Sequence, residues 1–455
     1  MNEREIINEI VNLTERSDRD TVSQEELLRT FGLIESISDR SLDIYVGYLS
    51  LYYFSRFKEL PLIDINHSIA EDLRFCKCNS ILSGTVFSPS DIGAMFLDIL
   101  SIPDEQSKLR DILLGAFFCS LWHFINKPDN FEVAVDYGVE IIKSAFNLDA
   151  FDCFNKIKLN SNNAKIISLA GSGKKKIKLL NVSSLSAIIT AAVGKEIDEN
   201  IIVEKTVSRA TSSVTGSGDI FELVGVNLDI PISRMAEISI ETRLGVFDIN
   251  NIVPRLNHVY DGRLYNVQFF AGIVGGAALV CPIEVSLINY GLARGSNEMC
   301  LAILKRIYPR NNILVLSGKD THGESAMDQV SVVGKTKIAQ LINNIQEIYV
   351  VEPKDFSFEL APIDGVREDE IKEKNLSRFI KLLSGNGNKV LKQLVSMEVA
   401  FNLYGLGIVD NLESGAALAS KTIDSGRGID VLEDLVNQSG GDKDRFRSLL
   451  DQFTV

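Results

Sequence analysis

The residues most able to do chemistry lie in AGSGKKKIKLLNVSS, residues 170–184. Gly171-Ser172-Gly173 end an apolar run, and Asn181, Ser183 and Ser184 close the stretch where a helix is expected to begin. Glycines let a backbone fold so that several N–H groups face one anion, and a helix N-terminus adds positive potential. Lys174, Lys175 and Lys176 stand in the middle. This is not a Walker A loop, which needs glycine where Ser168 stands and Ser or Thr where Lys175 stands. Alone, the stretch fits either a phosphate cradle or a solvated basic turn. A second stretch, EKTVSRATSSVTGSGDIFELVG (204–225), gathers Lys205, Ser208, Arg209, Ser212, Ser213, Gly216 and Asp219. Hydroxyls, glycine amides and two cations suit a multiply charged phosphate ester, and the plainer alternative is a polar loop capping a helix near Asp219.

Spacing separates these readings. Counted from Gly171, Asn181 is the eleventh residue, followed by Ser183 and Ser184. This resembles the G-T-G-G-D-(five residues)-N-x-S-T pattern of the anthranilate phosphoribosyltransferases. Lys205 to Asp219 then resemble that family's K-H-G-N-R-x-x-S-S-x-x-G-x-x-D in register. LVLSG, MDQVSVVGKTKIAQL, YVVEPKDF and the closing LYGLGIVDNLESGAALASKTIDSG are similar to later family segments, so the likeness spans roughly residues 81–440. It implies transfer of a phosphoribosyl group from 5-phosphoribosyl 1-pyrophosphate (PRPP) to a small aromatic amine, with Mg²⁺. By the resemblance, Gly171, Ser172, Gly173, Lys174, Lys175, Asn181, Ser183, Ser184, Ser208, Ser212, Ser213 and Gly216 bind substrate. Lys205 and Arg209 serve catalysis, Asp328 and Gln329 the metal, and Arg243 is the nearest candidate for the acceptor-clamping arginine.

Departures accompany the matches. Lys174 and Lys175 replace the last glycine and the aspartate of the first loop, and Thr206, Val207 and Ser208 replace His-Gly-Asn. Asp328-Gln329 stands for an Asp-Glu pair. The expectation is therefore a divergent phosphoribosyltransferase acting on a phosphorylated sugar and a small acceptor other than anthranilate. Two alternatives stay open: a catalytically lapsed paralogue binding a ligand or partner, and a phosphorylase-like enzyme using inorganic phosphate on a nucleoside.

The elements that must position these residues change character along the chain. SQEELLRTF offers a capping box from Ser23 and Glu26, and FSPSDIGAMFLDIL a helix start at Ser88-Pro89 with Ile92, Phe96 and Ile99 on one face. From about residue 165, AKIISLAG, ENIIVEK, NNILVLSG and EIYVVEP read as strands separated by helices. The fold expected is α/β: a small N-terminal α-helical domain plus a larger α/β domain with a mostly parallel sheet covered by helices. The divisions expected are a helical extension (1–80), a helical domain of the phosphoribosyltransferase type (81–150) and the α/β domain (151–455). FFAGIVGGAALVCPI, 269–283, is too short to span a bilayer and reads as buried backbone. A net charge of −14 argues against nucleic acid as partner, since duplex binding needs a basic face. Scattered cysteines and no secretory leader at the start imply a cytoplasmic protein. The resemblance implies a homodimer through the small helical domain.

Overall fold

The computed structural model describes residues 9–10, 13–14, 16, 21–36, 42–61, 68–125, 127–152, 155–173, 177–209, 214–260 and 280–453. The chain forms two units, one built from the chain up to Phe151 with a stretch beginning at Arg255, the other from Asp152–Pro254 and the chain from Gly275 onward.

The first unit is helical: α1 (Gln24–Glu35), α2 (Asp43–Phe57), α3 (Ser68–Glu71), α4 (Leu73–Leu82), α5 (Pro89–Leu100), α6 (Ser107–Ile125) and α7 (Phe131–Asn147). The capping box forms as expected: Ser23 Oγ accepts from Glu26 N–H at 3.2 Å and Glu26 Oε2 accepts from Ser23 N–H at 2.9 Å. Ser88 caps α5 ahead of Pro89, and Ile92, Phe96 and Ile99 are buried. Helix α2 has ten successive buried residues, Ile44 to Tyr53, because it lies inside this unit. It reaches that position through two glycines: a Cβ on Gly47 would strike the Ile112 carbonyl, and one on Gly115 the Ile44 carbonyl. The backbones of α2 and α6 therefore touch, and residues before 80 share a core with those after.

The second unit carries a sheet in the order β3-β2-β1-β4-β5-β7-β8, with β6 beside β5. The strands are β1 (Lys165–Gly171), β2 (Ile201–Val207), β3 (Leu244–Asp248), β4 (Leu287–Gly291), β5 (Asn312–Lys319), β6 (Ser325–Met327), β7 (Thr336–Ile342) and β8 (Ile345–Val351). The first five pair in parallel, while β6, β7 and β8 add antiparallel partners at one side. The helices of this unit are α8 (Val182–Glu196), α9 (Ser217–Leu223), α10 (Ile232–Thr242), α11 (Ile249–Ile252), α12 (Pro254–Tyr260, where the chain passes to the first unit), α13 (Asn297–Ile307), α14 (Lys372–Leu383), α15 (Lys389–Gly405), α16 (Leu412–Asp424), α17 (Gly428–Gln438) and α18 (Lys443–Phe453). A buried chain of hydrogen bonds ties sheet to helices: Asn289 Nδ2 of β4 donates to Asn402 Oδ1 of α15 at 2.7 Å, and Asn402 Nδ2 to Thr190 Oγ1 of α8 at 2.9 Å. Of the apolar run 269–283, residues 269–279 lie outside the described residues, and Val280, Cys281 and Ile283 are buried.

Gly115→Ala should lower the unfolding free energy by about 2 kcal/mol or more, because backbone atoms must move to admit one carbon. Gly32→Ala in α1, where nothing lies within 4 Å of the added carbon, should leave it unchanged or raise it slightly. Denaturant unfolding followed by circular dichroism makes both measurements.

Candidate active site

Parallel strands β1 to β4 end together at Gly171, Val207, Asp248 and Gly291. Ligands of open α/β sheets bind at such carboxyl ends. Gly171 and Gly291 are register partners, and both meet Asp328. A Cβ on Gly171 would lie 2.6 Å from Asp328 Oδ2, and one on Gly291 would strike the Asp328 backbone carbonyl. The loop then turns at Gly173, whose φ of +62° favours glycine, and its N–H donates to Asp328 Oδ2 at 2.9 Å. Ser172 locks the turn: its N–H donates to Gly291 O at 2.8 Å and its Oγ accepts from Ala293 N–H at 2.9 Å.

Helix α8 starts beyond this loop. Its N-cap residue Asn181 makes no side-chain cap to the helix. Its Nδ2 instead donates to Thr215 O at 3.1 Å and Gly216 O at 3.2 Å, so the helix entrance is pinned to the loop after β2. Ser184 Oγ and Thr215 Oγ1 are buried hydroxyls with no hydrogen-bond partner among the described residues. Buried polar atoms ordinarily find partners, and two hydroxyls beside a helix N-terminus are suited to an anion's oxygens. The far side of the loop is knotted: Gly216 N–H donates to Asp219 Oδ2 at 2.8 Å and Gly218 N–H to Ser208 O at 2.8 Å.

Strand β2 alternates its side chains. Lys205, almost wholly buried, donates Nζ to Leu169 O at 3.2 Å and Thr206 O at 3.0 Å near the strand ends. Glu204 points to the opposite face, fully buried, accepting from Ser168 Oγ at 2.6 Å and Thr206 Oγ1 at 2.7 Å. Burial pushes its carboxyl above the ordinary glutamate range, against the hydroxyl bonds and Lys205, which pull it down. Burial, with Glu204 adding to it, raises the Cys281 thiol as well. Arg209 forms ion pairs with Glu222 and, at 3.2 Å, with Asp248. Partial burial works against its charge, but these carboxylates and Asp219 hold its guanidinium above the ordinary arginine value.

The structure thus brings together Gly171, Ser172, Gly173 and Asp328, with buried Gln329 next in chain, and joins Asn181, two and three residues before Ser183 and Ser184, to Gly216, while Ser208 O accepts from Gly218 N–H. Lys174, Lys175, Ser212 and Ser213 lie outside the described residues. Arg243 is a correction. It stands in the left-handed region at the start of β3, its carbonyl accepts from Val203 N–H at 2.9 Å, and its guanidinium bonds Asn200 ahead of β2. Five strand residues, roughly 16 Å of β3, separate it from the carboxyl edge. Sequence reasoning passes over Glu204, Thr215 and Glu368, the last a carboxylate accepting from Val214 N–H at 3.1 Å. Only Glu204 carries a local signal, a charge inside an otherwise apolar strand.

A magnesium ion fits here only as a ligand shared with phosphates. Among the described residues no three His, Cys, Asp or Glu side chains are grouped to hold a metal. Mg²⁺ is commonly held by one or two carboxylates with phosphate oxygens and water completing the shell, which Asp328 can join.

Residues 163–429 match the family described as glycosyl transferase family, a/b domain. The anthranilate phosphoribosyltransferase of Persephonella marina is 27% identical over 61% of this chain and 78% of its own length. That of Streptococcus gordonii is 25% identical over 58% and 75%, respectively. Among solved structures, the anthranilate phosphoribosyltransferase of Thermus thermophilus superposes with a TM-score of 0.62 at 20% identity, covering 80% of this chain and 99% of that one. The Saccharomyces cerevisiae enzyme in complex with PRPP and Mg gives 0.62 at 17% identity, over 82% and 99%. These structures share the two-part fold, and the relatives bear out the resemblance read from the motifs.

Glu204 makes stability depend on pH. Its folded value is raised above the unfolded value of about 4.5, so its contribution is complete below that value and is lost as pH rises through the folded one. Wild type should therefore lose stability relative to Glu204→Gln on going from pH 4 to pH 9, and a constant gap between the two in urea titrations would refute this.

Proposed function

The chain belongs to the glycosyl transferase family defined by this α/β domain, and from that premise we propose that it transfers a phosphoribosyl group from PRPP to a small acceptor other than anthranilate. The observation that carries the reading is the pinned entrance of α8, where the buried hydroxyls of Ser184 and Thr215 have no partner among the described residues and lie beside the loop that Asp328 braces. Pyrophosphate would lie there, taking the hydroxyls of Ser183, Ser184 and Thr215 and the positive helix end. Lys205 would add its charge from the adjoining strand end. As C1 of the ribose loses pyrophosphate it gains oxocarbenium character, so the protein's work is to hold both partners and stabilise the departing charge. Asp328, with the Gln329 amide beside it, would hold Mg²⁺, which when bound neutralises part of the phosphate charge.

Two arginines support an acceptor without the anthranilate carboxylate. Arg209 is committed to Glu222 and Asp248, and Arg243 stands at the far end of β3. Neither is placed to clamp a carboxylate. The segment Thr206-Val207-Ser208 also lacks the asparagine that faces the amine in the resembled family. The reading further includes a cytoplasmic homodimer, which light scattering after size exclusion tests.

Pyrophosphate release from PRPP, with and without Mg²⁺, across a panel of aromatic and heteroaromatic amines is the direct test. Lys205→Ala should lower kcat/KM about a hundredfold and Ser184→Ala should raise the KM for PRPP several-fold. Failure of PRPP to bind under either condition, with Lys205→Ala indistinguishable from wild type, would sink the reading.

A further inference from the structure

We propose that Glu204 is a positioning residue that aims the Lys205 ammonium, an inference that rests on the phosphoribosyl reading. Ser168 and Glu204 are register partners of β1 and β2, and Leu169 and Lys205 are the next pair. Along a strand successive side chains take opposite faces, so Glu204 and Thr206 share one face and Lys205 has the other. On the shared face the fully buried Glu204 takes one hydroxyl on each carboxylate oxygen. Ser168 Oγ donates to Oε2 at 2.6 Å, and Thr206 Oγ1 donates to Oε1 at 2.7 Å. Lys205 Nζ in turn donates to Leu169 O at 3.2 Å and Thr206 O at 3.0 Å. One of these carbonyls belongs to a residue that Glu204 grips, and the other follows directly on the second such residue, Ser168.

The ladder between β1 and β2 stops at the Leu169–Lys205 pair, while Thr206 and Val207 run on in register with Phe247 and Asp248 of β3. The link Ser168–Glu204–Thr206 therefore extends the tie from β1 one residue past that ladder, to the peptide whose carbonyl Lys205 uses. A lysine stem is flexible, so where its ammonium rests depends on what accepts from it, and a shift of either carbonyl moves the charge. The grip is one of hydrogen bonding rather than charge. Burial, opposed by the two hydroxyls, the Cys281 thiol and Lys205, keeps the carboxyl above the ordinary glutamate range. Ionised or protonated it serves both hydroxyls, because a hydroxyl accepts as well as donates, and a neutral amide of the same shape does the same. An apolar side chain would avoid the cost of burying a carboxyl, so stability does not account for a glutamate here.

Isothermal titration of the full chain with inorganic pyrophosphate in the presence of Mg²⁺, run as a double-mutant cycle, separates this role from a merely structural one. Lys205→Ala should weaken pyrophosphate binding about tenfold and Glu204→Met about fivefold, while Glu204→Met in the Lys205→Ala background should weaken it less than about twofold. Glu204→Gln should stay within about twofold of wild type. If Glu204→Met does not fold, Thr206→Val, which removes one grip at the same shape, takes its place in the cycle with about threefold loss expected. A loss of equal size in both backgrounds, no loss in Glu204→Met, or Glu204→Gln as weak as Glu204→Met overturns the inference. The expected coupling with no pyrophosphate release from PRPP across the acceptor panel supports it while removing the transfer reading. PRPP turnover without that coupling removes the inference alone, and pyrophosphate binding that is absent, or indifferent to Lys205→Ala, removes both.

Discussion

Asp328 enters the carboxyl edge of the sheet only because residues 171 and 291, side by side at the ends of β1 and β4, have no side chains. A methyl group at either position would meet the aspartate's carboxylate or its backbone. With both sites open, the carboxylate comes close enough to accept from Gly173 N–H, and the loop after β1 takes its left-handed turn around it. The antiparallel addition β5–β6 delivers Asp328 to this place, immediately after Met327. Loop shape, carboxylate position and strand pairing are thus consequences of one close approach.

The entrance to α8 depends on a second constraint, the orientation of that helix. A helix N-terminus is useful only if it points at the ligand, and α8 is held by groups deep in the unit as well as by its entrance. Thr190 accepts from Asn402, which accepts from Asn289, so a hydrogen-bonded chain of buried side chains runs from α8 through α15 to β4. Such networks specify one arrangement because any slip leaves polar groups unpaired in a low-dielectric interior. On the other face of the sheet Glu204 joins Ser168 of β1 to Thr206 of its own strand. The two strands that end at Gly171 and Lys205 are therefore bound by side chains as well as by the ladder.

Which parts were legible follows from how local their causes are. The runs AKIISLAG, ENIIVEK, NNILVLSG and EIYVVEP fall on β1, β2, β5 and β8, since each is short, apolar and bounded by turns. Strand β4 is LINYG, five residues with Asn289 at its centre, and its reason for being buried is a partner 113 residues away. Strand β7 was readable in principle, because Asn343-Asn344 at φ 50° and 66° forms the two-residue connection to β8 that such asparagines favour. The site follows the same rule. Motif spacing grouped Gly171, Gly173, Asn181 and Asp328, of which the structure sets Gly171, Gly173 and Asp328 side by side, whereas Glu368 reaches Val214 across a tertiary fold that spacing does not encode. Arg243 shows the opposite error: a residue placed by its nearness in sequence to a family feature was set, by the direction of β3, at the wrong end of the sheet.

The charges at the carboxyl edge are arranged against one another and against backbone groups. Arg209 is neutralised by two carboxylates, and Lys205 donates to strand carbonyls in the absence of a ligand. Asp328 and Glu368 each accept from a backbone amide, of Gly173 and of Val214. Positive potential at the described edge comes from the N-terminal end of α8 and from the buried Lys205 ammonium at the neighbouring strand end. A dipole orients a phosphate but balances only a fraction of its charge, so an anion held at this edge depends on the Lys205 ammonium as well as on the helix end.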